Sequence, residues 1–229
     1  ALSYNSIKAK TSFQIYRSNA TWNTILRQTP LFNNTIPLLD LSLFNENNDS
    51  FYAASSIATT LSNNSNMFQQ QKRILAFDKS LHFIPIDNND LQQNIKSIIS
   101  TAREHHSSTS FKNVVDNIIN AIKHANFDDN TIQTIKLIIL TKISPDNIST
   151  FVDTLQNSFD EHFSTRPLIV LWNFSSYDIH LNYPSNILLQ NNIVFLSGFS
   201  SFILFRLAQF LHHYDTNSFN ATTLQFIQG

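Results

Sequence analysis

Thr35-Ile36-Pro37-Leu38-Leu39-Asp40-Leu41-Ser42 is the stretch on which the fold turns. An apolar run of strand length ends here in an acid and a hydroxyl. In an open α/β sheet, sites are built in the loops at the carboxyl ends of the strands, so Asp40 and Ser42 stand where chemistry would be expected. The residues on either side have to supply the sheet.

Downstream, strand-like and helix-like segments alternate. After a polar loop, Phe51, Ala54, Ile57, Ala58 and Leu61 give a helix with one apolar face. Residues 74–77 and 81–86 read as two short strands joined by Asp78-Lys79-Ser80, a hairpin. Asp90 is expected to cap a helix with Leu91, Ile95, Ile98 and Ile99 facing inward, followed by a polar loop over 103–110. Phe111, Val114, Val115, Ile118, Ile119 and Ile122 form the clearest amphipathic pattern in the chain. Asp128 and Asp129 read as loop acids.

Leu137-Ile138-Ile139-Leu140 is too short for a helix and has the continuous apolarity of a strand covered on both faces. Pro145 opens a helix carrying Ile148, Phe151, Val152, Leu155 and Phe159. Residues 168–172 and 193–196 are two more buried strands, and 199–211 is a last helix, apolar nearly all the way round. That helix is expected to lie between the sheet and the C-terminal tail, with Phe226 and Ile227 helping to cover it. The expected fold is therefore α/β: a doubly wound, mostly parallel sheet with helices on both faces and one antiparallel edge hairpin. No linker or internal repeat divides the chain, so one domain is expected over 31–215. A lead-in segment, 1–30, precedes it with Trp22 and Ile25 packing on the domain, and a tail, 216–229, follows.

Composition removes several classes of function. The 229 residues carry 15 Lys plus Arg against 16 Asp plus Glu, a net charge of -1, with no basic cluster beyond Lys72-Arg73. A polyanion has little to attract it, so nucleic acid is disfavoured as a partner. The absence of cysteine removes thiolate nucleophiles, disulfides and Cys-based zinc sites. No apolar run approaches the ~20 residues of a spanning helix, and no membrane role is expected. Counting gives 28 Asn and 26 Ile against 2 Gly, a skew that an AT-rich coding genome explains. Sequons such as the one at Asn173 are expected by chance in so Asn-rich a chain.

Other candidate constellations are weak. Ser197-Gly198-Phe199-Ser200 is not a nucleophile elbow, and Gly198 is expected to supply a positive φ or a close backbone approach. His105-His106 and His212-His213 are adjacent pairs whose members point apart on a helix, unlike the i, i+4 pair of a zinc helix.

The motif at 38–42 resembles the first metal-site motif of von Willebrand factor A (vWA) domains, Asp-x-Ser-x-Ser. Thr109 stands where those domains supply a threonine, and Leu140-Thr141-Lys142 where they place a second aspartate. Trp22, residues 74–77, Thr109-Ser110-Phe111, residues 167–173 and Ser197-Gly198-Phe199-Ser200 extend the resemblance to TROVE-like proteins of plants, fungi and large DNA viruses, whose C-terminal half is vWA-like. It covers about residues 20–211 through short motifs.

The departures from that pattern matter most. The family's site holds a divalent cation through carboxylate and hydroxyl oxygens, as suits a hard cation. Here Asp40, Ser42 and Thr109 match, Phe44 replaces the second serine, and Lys142 replaces the second aspartate. An ammonium repels a dication, so a degenerate, metal-free site is expected, with Lys142 in the cation's position and paired with Asp40. The resemblance then implies no catalytic residue, no cofactor and no metal. It implies a non-catalytic module binding protein partners within a larger assembly, in the cytoplasm or a virion. An RNA-associated component and a virion structural protein are the alternatives.

Overall fold

Apolar runs covered on both faces must send alternate side chains into two separate layers, and these strands do so. The structure, a computed structural model, describes residues 31–44, 49–67, 71–87, 90–105, 111–143, 145–174, 192–198 and 201–215. The strands are β1 (Thr35–Asp40), β2 (Arg73–Phe77), β3 (Leu81–Pro85), β4 (Lys136–Thr141), β5 (Leu168–Asn173) and β6 (Ile193–Ser197). They form one sheet in the order β3-β2-β1-β4-β5-β6. Every pairing is parallel except β2 with β3, the expected hairpin at the edge. From β1 the chain winds outward to one side and from β4 to the other, so the switch point falls between β1 and β4. This is a doubly wound α/β fold of the vWA/Rossmann-like class.

The helices are α1 (Asp49–Asn63), α2 (Leu91–His105), α3 (Phe111–His124), α4 (Asp129–Thr134), α5 (Pro145–Asp160) and α6 (Ser201–Asp215). Leu39, Ala76, Ile138, Leu140, Val170 and Trp172 pack with α1, α2 and α6 in one layer. Their strand neighbours Leu38, Leu75, Leu137, Ile139, Ile169 and Leu171 pack with α3 and α5 in the other. A one-residue slip of any strand would exchange the two sets, so the register is tightly specified.

Several expectations are corrected in detail. The first three residues of the loop expected over 103–110 are helical, because α2 continues to His105, and the rest lie outside the described residues. Within α2 Ile98 is buried and Ile95 and Ile99 pack half-buried against the same layer, as expected, while Asn94 is buried beside them. Its amide donates to the Asp87 carbonyl and accepts from the Asp87 N–H, tying the helix to the preceding loop. Asp90 caps the helix as expected, accepting from the Gln93 N–H at 3.0 Å. Asp128 is a helix cap and Asp129 the first residue of α4, so neither is a loop acid: Asp128 accepts from the Thr131 N–H, and hydrogen bonding by the Thr131 side chain and then its backbone holds the carboxyl below the usual range.

The last helix presents Leu207, Ala208, Phe210 and Leu211 to the core while Gln209 and His212 are exposed. Burial against the sheet therefore accounts for this face of it. Trp22, Ile25, Phe226, Ile227 and the bounds 1–30 and 216–229 lie outside the described residues.

Lys136, expected to precede its strand, is its first residue and is buried. The ammonium donates to the Asn33 carbonyl at 2.8 Å and pairs with Asp215 at 2.5 Å. One side chain thus ties the entry to β1, the start of β4 and the end of α6 together. Turns with positive φ fall at Asn34, Asn126, Asn192 and Gly198. At Gly198, with φ of 78°, an added Cβ would lie 3.8 Å from Ile203, an ordinary contact. The glycine there serves backbone conformation and not close approach.

Candidate functional site

Parallel pairing lines up the last residues of the strands at the carboxyl edge. Register places Asp40 beside Phe77, Thr141 beside Asn173, and Asn173 beside Ser197. Leu39 pairs with Leu140, so Asp40 and Thr141 follow as neighbours across the switch point.

Asp40 is 1% exposed. One carboxyl oxygen accepts from the Ser42 N–H at 2.9 Å, capping the short 3₁₀ turn Leu41–Leu43. The other accepts from the Thr141 hydroxyl at 2.5 Å. Asn173, also buried, closes the next gap: its amide accepts from the Ile143 N–H at 3.2 Å and donates to the Ile143 carbonyl at 3.0 Å. The Phe174 N–H donates to the Thr141 carbonyl and the Gly198 N–H to the Asn173 carbonyl, extending the seam to β6. The Trp172 indole N–H donates to the Gly198 carbonyl at 2.7 Å.

These bonds correct the expected pairing of Lys142 with Asp40. Lys142 is exposed, and the buried partner of Asp40 is the residue before it, Thr141. Thr141 ends β4 with its side chain toward β1, and the chain leaves the ladder at the next position. Ser42 is exposed and contributes its backbone N–H to Asp40. Phe44 is half-buried and packs edge-on against Phe51 with ring centroids 5.1 Å apart, so the position that a hydroxyl would need is turned into the apolar layer. Thr109 lies outside the described residues.

No family model matches the chain, and no curated protein matches it. Among solved structures the chain is similar to the human COPII-coat protein Sec24c, at 12% identity and a TM-score of 0.37. The match covers 81% of this chain and 32% of that one, so the chain spans about a third of that structure's length. Similarity at this level carries no functional argument.

A hard divalent cation wants several oxygen ligands with free lone pairs. Two carboxyls follow the described strand ends at this edge: each oxygen of Asp40 already accepts a hydrogen bond from within the chain, and Asp78, after β2, is engaged by Ser80 and His82. No cluster of three or more His, Cys, Asp or Glu side chains able to hold a metal occurs among the described residues. The described donor set does not fit the cation of the resembled site.

The sequence reading missed Thr141 as a partner and Asn173 altogether as a site residue. Both directly end apolar runs, at the same height as Asp40 in a parallel sheet, and that position was the available signal. Asn173 is fully buried, which also removes its sequon as a glycosylation site. Asp40→Ala leaves the Thr141 hydroxyl buried without this acceptor, and a stability loss of about 1–3 kcal/mol is expected. Urea denaturation should show a smaller loss for Asp40→Asn, which keeps a carbonyl oxygen as acceptor. Full stability in Asp40→Ala would contradict a structural role for the carboxyl.

The histidine pairs also resolve in part. His105 stacks on His82, with ring centroids 4.2 Å apart, and His82 is 2.9 Å from Asp78 and 3.3 Å from Ser80. Ser80 and Asp78 approach the same ring nitrogen, so the trio lacks the relay order of a nucleophilic triad, in which serine and acid use opposite nitrogens. His212 is exposed.

Proposed function

We propose that this chain is a non-catalytic, metal-independent module for protein–protein assembly and, on the sequence marks given above, the C-terminal part of a larger TROVE-like protein. The observation that supports this reading most is the seam at the carboxyl edge. Asp40, Thr141 and Asn173 spend their side-chain bonds on one another's segments. Where the described strand ends at a fold's usual ligand edge are bonded to one another, the outer surfaces are the better candidates for recognition, and function must be argued from those and not from the fold's common uses.

Two measurements test the proposal. Calorimetric titration of the full chain with Mg²⁺ or Mn²⁺ should give no saturable binding, whereas micromolar binding lost in Asp40→Ala would refute metal independence. Cross-linking of the protein in its native cells should capture the same protein neighbour with and without a chelator. Capture of RNA instead, through contacts that weaken as salt rises, would overturn the assembly reading in favour of a ribonucleoprotein role.

A further inference from the structure

A second feature lies away from the carboxyl edge and does not depend on the proposal above. On the layer that holds α3 and α5, the described helices leave the β3 end of the sheet incompletely covered. An apolar cavity of about 200 Å³ opens there between α3 and strands β1 to β3. Its walls include Ile36, Met67, Leu75, Phe83, Ile118 and Ala121. Phe83 is 57% exposed and Ala121 is exposed, so the cavity is an open groove.

The backbone brings the start of the domain to this groove. The Phe32 N–H donates to the Asn64 carbonyl at 2.9 Å, and the Asn34 N–H donates to the Asn66 side chain at 2.6 Å. Met67, the next residue, and Ile36, two residues on, are both groove walls. Leu31, at the head of this run, is 79% exposed. Thirty residues precede it, and among them Trp22, Ile25 and Leu26 have the i, i+3, i+4 spacing of a single apolar face. The five residue steps from Leu26 to Leu31 can span at most about 18 Å, which keeps these side chains close to the point where the chain enters the domain.

We propose that the groove between α3 and β1–β3 is the seat of this chain's own N-terminal segment, with Trp22, Ile25 and Leu26 filling it. The apolar lining suits such an occupant, and a covalently attached segment has a high effective concentration at a site so near its anchor.

The cysteine-free sequence makes the test clean. In the full chain, Ile25→Cys is combined either with Ala121→Cys at the groove mouth or with Lys96→Cys, an exposed position on α2 across the sheet. Under mild oxidation the first pair should form an intramolecular disulfide at least ten times faster than the second. Separately, Trp22→Ser should raise the fluorescence of a bound apolar dye several-fold with an unchanged circular dichroism spectrum. Equal rates for the two pairs, disulfides only between molecules, faster capture of Ala121→Cys by Phe226→Cys in the tail, or dye binding unaffected by Trp22→Ser would each overturn the proposal.

Discussion

Trp172→Ala is expected to cost the domain about 3–5 kcal/mol, the range for deleting a large buried aromatic side chain. The indole is fully buried on β5, stacks on Phe174 with ring centroids 5.8 Å apart, and lies in the layer formed by α1, α2 and α6. Alanine removes the ring from the core and leaves the Gly198 carbonyl without the 2.7 Å bond that ties the end of β6 to β5. Domains of ordinary stability have only about 5–15 kcal/mol to lose, so a large part would go. Guanidinium denaturation checks this: the midpoint should fall sharply with little change in slope. Trp172→Phe keeps most of the apolar volume and drops the N–H, so about 1–2 kcal/mol is expected from the unmade bond. Equal losses for the two variants would mean that the hydrogen bond, and not the ring, holds the edge.

Asp215→Ala should be the other severe substitution. It leaves the Lys136 ammonium, whose side chain is 1% exposed, with only the Asn33 carbonyl beside it. Removing one member of a buried pair costs about 3–5 kcal/mol, and the lower end is expected because the Asp215 side chain is 32% exposed and admits water. Lys136→Met should be much milder, within about 1 kcal/mol of the parent, since the thioether chain fills similar volume and the freed carboxylate can turn to solvent. The ordering is the sharp point. A Lys136→Met variant less stable than Asp215→Ala would show that the pair contributes net attraction beyond relieving a buried charge.

The parts of the fold that could be read from the sequence are those in which local pattern and burial coincide. Residues 137–140, 168–172 and 193–196 are continuously apolar because each strand has helices on both sides, and the five apolar residues of α5 from Ile148 to Phe159 all reach the core. Where tertiary contact decides, the pattern gave less. Lys136 reads as the residue before an apolar run, since nothing nearby in sequence announces an aspartate at the end of the last helix. The partner of Asp40 depended on where the β4 ladder stops, and a period-2 element sends residues 141 and 142 to different sides. Sequence alone leaves that choice open. The six residues of α4 are too few to display a helical period, and Asp128 then reads as a loop acid although it is the cap. At the candidate site the position of Asp40 and the loss at Phe44 were legible. The closure by Thr141 and Asn173 was not, because it is a relation between strands and not a motif within one.

The left-handed corners bear on how such a chain diverges. Among the described residues, three of the four positions with positive φ are asparagines, Asn34, Asn126 and Asn192. Asparagine is among the few other residues that enter this region readily, because its short amide can bond locally. At Asn34 the amide instead reaches across the fold, donating to the Thr134 hydroxyl at 3.0 Å. A lineage under compositional drift can therefore shed nearly all its glycines and still turn its strands at the same places. Relatedness in such lineages will persist in topology and in the location of turns long after residue identity has faded.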